Sequence, residues 1–109
     1  MIRVSIERNQ DGKIDAFSME GHADFAPHGQ DLVCAGASAV AFGAVNAIDA
    51  VCQVQLDVEM ANDGGFLRCG VPNEIGNQAY ENVQLLLEGM VVSLQTIEEQ
   101  YGEYITIHG

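Results

Sequence analysis

Residues 32–51 read LVCAGASAVAFGAVNAIDAV, and this stretch constrains the fold more than any other. Ala35, Ala37, Ala39, Ala41, Ala44, Ala47 and Ala50 alternate with larger apolar residues, with Gly36 and Gly43 among them. The run is helix-forming and nearly apolar all round, so it predicts a helix at the centre of the domain. Asn46 and Asp49 interrupt it short of the roughly 18 consecutive apolar residues that a membrane span needs. It is therefore expected to be a buried helix and not an anchor. Small side chains let such a helix approach a sheet closely, and packing must offset about 1 kcal/mol for each glycine relative to alanine.

Working outward, the flanks supply the sheet. Before the helix, Ile2, Val4 and Ile6 alternate with Arg3, Ser5 and Glu7, the period-two pattern of a strand with one face on a core. Asn9-Gln10-Asp11-Gly12 reads as a turn, and Lys13 to Glu20 returns as a second strand, with Ile14, Ala16 and Ser18 on one side and Phe17 and Met19 on the other. After the helix, Gln53 to Met60 alternates again. Asn62-Asp63-Gly64-Gly65 is a hairpin signal, and Phe66 to Val71 returns. Pro72 and Asn73 break the pattern before a long amphipathic helix carrying Ala79, Val83, Leu86, Leu87, Met90, Val91, Leu94, Ile97 and Tyr101 at steps of three and four. Gly102 stops it, and Tyr104 to His108 alternates as a last short strand. The fold class is α/β of the α+β type in the order ββαββαβ. A small mixed sheet packs with two helices on one or both faces, in a single domain spanning residues 1–109.

Sixteen acidic residues against four Lys and Arg give the 109-residue chain a net charge of −12. Such a surface repels phosphate backbones, which argues against direct nucleic-acid binding and favours a basic protein partner. The three cysteines have no C-x-x-C spacing and no secretory signal precedes Ile2, which points to a reduced, cytoplasmic protein.

The chemistry-bearing residues crowd into Gly21 to Ser38, GHADFAPHGQDLVCAGAS. Cys34 falls in the first helical turn, where unpaired backbone N–H groups and the macrodipole favour a thiolate, and where the same N–H groups suit an oxyanion. Asp31 is the expected N-cap. His22, at a strand end, and His28, between Pro27 and Gly29, compete as general base, and the anchored His22 is preferred. Ser38 lies one turn after Cys34 on the same helix face. His108 reads as a solvated end, and Cys52 and Cys69 read as packing residues. Asp24 and Asp31 with the two histidines and Cys34 form an alternative metal set. Their spacing matches no compact zinc pattern, so neither metal nor cofactor is expected.

The pairing of GHA at Gly21-His22-Ala23 with DLVCAGASA at Asp31 to Ala39, in a chain of this length, resembles the bacterial ribosomal-processing cysteine protease family, Prp. The resemblance implies a cysteine endopeptidase that removes an N-terminal extension from large-subunit ribosomal protein twenty-seven. It implies Cys34 as nucleophile and His22 as base, with Asp31 and Ser38 at further motif positions, a mobile loop over the site and a homodimer. Gly36 and Ala37 depart from the expected pattern and bear on the rate through a looser first turn. A rival reading is a non-enzymatic ribosome-assembly or regulatory module that grips a basic partner through its acids.

Overall fold

The computed structural model describes residues 1–21, 32–62 and 65–109. Strands β1 (Ile2–Arg8) and β2 (Ile14–Gly21) precede helix α1 (Leu32–Ala47), which continues through a π-helical turn, Ile48–Cys52. Strands β3 (Asp57–Met60) and β4 (Phe66–Gly70), helix α2 (Asn77–Tyr101) and strand β5 (Ile105–His108) complete the chain. The sheet order is β3-β4-β2-β1-β5, antiparallel throughout except where β5 runs parallel to β1. The expected element order and mixed sheet are both present.

One core cluster unites Ile2, Val4, Ile6, Phe17, Leu67 and Cys69 of the sheet with Val33, Ala37 and Ala41 of α1 and Val83, Leu87 and Leu94 of α2. Both helices therefore cover the same face. The opposite face carries Arg3, Glu7, Glu20, Glu59 and Arg68. Arg68 reaches across from β4 to Glu7 on β1 at 3.0 Å, and Ala16 on the intervening β2 is buried. The first turn is built by Asn9, whose side-chain Oδ1 accepts the N–H groups of Asp11 and Lys13 while Gly12 takes φ +79°. Arg8 pins β1 to α2 through a bidentate pair with Glu88, at 2.6 and 3.0 Å, which holds the Glu88 carboxyl below its usual range.

Three expectations change. First, α1 is not enclosed. Val33, Ala37 and Ala41 are buried, whereas Leu32, Phe42 and Val51 are 58%, 41% and 74% exposed. Among the described residues both helices cover the same face of the sheet, so α1 forms an outer layer with solvent on its far flank, and its alanines make that exposure inexpensive. Second, Ile14 does not share a face with Ala16. The register shifts at Glu7/Arg8, where Ala16 pairs Glu7 but Ile14 pairs Arg8, so Asp15 is the extra residue of a bulge and Ile14 rejoins the core with Phe17. Third, the strand expected from Gln53 begins only at Asp57. Val54 and Leu56 keep their apolar alternation but are buried in the connection that follows a left-handed Gln53 (φ +57°). The hairpin residues 63–64 lie outside the described residues.

Candidate active site

Cys34 is the third residue of α1 and so lies in the first turn of that helix. It is half-buried, with Val33 and Ala37 directed into the core beside it. Cys34, Ser38 and Phe42 follow at four-residue spacing and present one stripe to a cleft of about 240 Å³. The far walls are Ile2 of β1, Met19 and Gly21 of β2, Met60 of β3 with Ala61 after it, and Phe66 and Leu67 of β4 with Gly65 before it. Among the described residues the lining is apolar apart from the thiol, the Ser38 hydroxyl and the backbone. This suits an uncharged peptide segment held against one nucleophile.

Gly21 closes this end of the sheet. Its N–H donates to the Gly65 carbonyl at 2.9 Å, and at φ +93° a Cβ there would collide with the Met1 carbonyl oxygen. His22 follows directly in the chain. A Gly21→Ala variant is expected to lose about 2 kcal/mol or more through backbone strain and displacement. Thermal unfolding checks the stability, and peptide turnover is expected to fall with it.

The structure brings together Cys34 and Ser38 of the predicted site. His22, Asp31, His28 and Asp24 lie outside the described residues. His108 is exposed at the end of β5 that pairs Ser5 and does not line the cleft. Among the described residues no group of three His, Cys, Asp or Glu side chains converges. Phe42, Met60 and Phe66 were not singled out from the sequence. The spacing 34, 38, 42 would have flagged the first, but the other two reach the site only through strand pairing.

The three cysteines are all thiols and differ in environment. Cys69 is 1% exposed in β4, and burial pushes its thiol up to about 11 from 9.0, with Arg68 acting weakly in the opposite sense. Because its folded pKa is raised, the stabilisation from keeping this thiol neutral is full below about pH 9 and is lost as pH climbs towards 11, at no more than about 1.4 kcal/mol per pH unit. Urea unfolding across that window is expected to show wild type losing stability relative to Cys69→Val. Below pH 9 an alkylating reagent should modify Cys34 and leave Cys69 intact in the folded chain.

A cysteine at a helix N-terminus beside a cleft is an arrangement that thiol peptidases use, and comparison with known proteins gives the family. The family model described as cysteine protease Prp matches residues 1–106. The chain belongs to the Prp family of cysteine proteases. The ribosomal processing cysteine protease Prp of Bacillus subtilis is 45% identical over 107 residues, covering 98% of this chain and 96% of its own length. That of Staphylococcus aureus is 44% identical over 108 residues, covering 99% and 98%. The crystal structure of the S. aureus Prp with a covalently linked product peptide matches at a TM-score of 0.89 and 42% identity, covering 99% of this chain and 98% of that one. The same Prp with a substrate peptide matches at 0.83 with the same coverage. The Prp chain here is thus a ribosomal-processing cysteine protease, which sets aside the reading as a non-enzymatic binding module.

Proposed function

We propose that this Prp-family chain removes the N-terminal extension of the precursor of large-subunit ribosomal protein twenty-seven, acting in the cytoplasm as a homodimer. The observation that carries the reading is Cys34 in the first turn of α1, facing a cleft large enough for several side chains of an extended peptide. The product peptide linked covalently to the S. aureus relative supports it.

His22 accepts the thiol proton, and the Cys34 sulfur attacks the scissile carbonyl carbon. The oxygen takes the negative charge beside backbone N–H groups of the α1 first turn. His22 returns the proton to the leaving nitrogen as the C–N bond breaks, giving a thioester and a free amine. Water, deprotonated by His22, then cleaves the thioester and regenerates the thiol. Asp31 orients the helix start or His22, and Ser38 hydrogen-bonds within the site.

The test is incubation with the extended ribosomal precursor and mass measurement of the products. One cut that is lost in His22→Ala and retained in His28→Ala supports the assignment. Equal cleavage by the His22 variant would refute the dyad, and an intact precursor would refute the substrate.

A further inference from the structure

The outermost strand of the sheet, β3, is short and exposed at all four residues, and it ends at the cleft through Met60. Its two faces differ sharply. Met60 pairs Leu67, which pairs Met19, and Val58 pairs Cys69, which pairs Phe17, so Val58 and Met60 lie on the face that elsewhere forms the core. Leu67 and Cys69 are 5% and 1% exposed, but Val58 and Met60 are 44% and 61% exposed, because the helices do not extend over β3. Asp57 and Glu59 occupy the other face.

The backbone of this edge is also set. Ala61 donates its N–H to the Phe66 carbonyl at 3.1 Å, so by the two-residue alternation of an antiparallel ladder Ala61, Glu59 and Asp57 turn their backbone groups towards β4. Those of Val58 and Met60 therefore point outward from the sheet. An open edge with apolar side chains invites another strand. A second copy of this chain would set Asp57 and Glu59 against like charges, whereas a basic peptide would meet them favourably. Three of the four basic side chains in the chain, Arg8, Lys13 and Arg68, are already held in ion pairs with Glu88, Glu81 and Glu7.

Resting on the peptidase reading, we propose that substrate adds to β3 as a sixth strand, and that the site selects an extended peptide whose residues alternate between apolar and basic. Peptide backbone groups bond to Val58 and Met60. Apolar side chains fall beside Val58 and Met60 on the cleft face, and Lys or Arg side chains fall beside Asp57 and Glu59. Specificity then comes from the sheet edge as well as from the groups around Cys34.

The experiment titrates the Cys34→Ala chain with ten-residue synthetic peptides and follows its amides by NMR and hydrogen exchange. One peptide alternates Leu with Lys, a second alternates Leu with Glu, and a third carries five Leu followed by five Lys. The Leu–Lys alternating peptide is expected to slow exchange at Val58 and Met60, and the other two are not. Asp57→Asn with Glu59→Gln is expected to weaken its binding about tenfold. Val58→Pro, which removes an outward donor and leaves the β3–β4 ladder bonded, is expected to abolish binding. The double acid variant keeps the test decisive if the proline variant misfolds. Absent binding, equal binding of the Leu–Glu peptide, or exchange unchanged at Val58 and Met60 would overturn the proposal. Protection of those amides in a peptide-free chain that sediments as a dimer would give the edge to a second copy and overturn it too. Cleavage of the ribosomal precursor is read separately on the unmodified chain. Cleavage without protection sinks strand addition alone, and protection without cleavage sinks the ribosomal-precursor assignment alone.

Discussion

Replacing Cys34 with alanine is expected to lower peptide-bond hydrolysis by about four orders of magnitude or more while leaving the fold in place. The first half follows from the cleft. Among the described residues lining it, Cys34 carries the strong nucleophile, and the proposed mechanism forms no thioester without its sulfur. The second half follows from packing. Cys34 is half-buried, so removing its sulfur costs roughly 1 kcal/mol, far less than a buried aliphatic truncation. Rapid-quench measurement on a chromogenic peptide, paired with thermal unfolding, separates the two. A variant that keeps hydrolysing at near wild-type rate would remove Cys34 from the mechanism, and a collapse of the melting temperature would make the activity loss uninformative. Cys34→Ser provides the chemical control, since it keeps size and polarity while replacing a good nucleophile with a poor one.

Replacing Gln84 with leucine is expected to cost about 3 kcal/mol and roughly 15 °C in melting temperature. Gln84 is 3% exposed in α2, and its amide closes a two-bond ring with one residue. Oε1 accepts the Ile14 N–H and Nε2 donates to the Ile14 carbonyl, both at 2.8 Å. The bulge at Asp15 moves Ile14 out of the regular ladder, and the side-chain amide stands in for the missing strand. Leucine fills similar volume but leaves two buried backbone groups unpaired, at about 1–3 kcal/mol each. Gln84→Glu discriminates further. A carboxylate can still accept the N–H, but its second oxygen faces the Ile14 carbonyl until it is protonated. Its folded pKa is therefore expected to rise, and the variant should be weakened at neutral pH and recover as pH falls. Denaturant midpoints at two pH values suffice to check this.

Much of the fold is visible in the sequence because strand and helix periods are local. Ile2-Val4-Ile6 alternates into the core as read, and the stripe from Val83 to Leu94 faces the sheet. The four-residue step from Cys34 to Ser38 likewise places both on the cleft. What was hidden depends on partners distant in sequence. The bulge that turns Ile14 inward is set by pairing with Arg8 and by Gln84 seventy residues away, and Gln84 looks like an ordinary surface glutamine on a helix. The exposure of Leu32, Phe42 and Val51 is hidden for a related reason. Apolar composition reports what a helix can bury, while the number of layers around it decides what it does bury. Met60 and Phe66 join the site only because the β3–β4 hairpin sits at the same end of the sheet as the start of α1. Asp31 and His22 belong to the stretch outside the described residues, so their roles rest on the motif.

The parallel pairing of β5 with β1 has a consequence for how the protein is made. Ile2 lies opposite Ile105, so β1 completes its pairing only with a strand that follows every other described element. At cellular elongation rates of about 5–20 residues per second, β1 waits several seconds for that partner. Ile105 belongs to the same core cluster as Val33 and Ala37, which back the helix bearing Cys34. The nascent chain can form the β1–β2 hairpin early, but the helix bearing Cys34 is expected to settle only after β5 has emerged. Proteolytic competence is thereby tied to the emergence of β5, and chains that stop before it are expected to lack it.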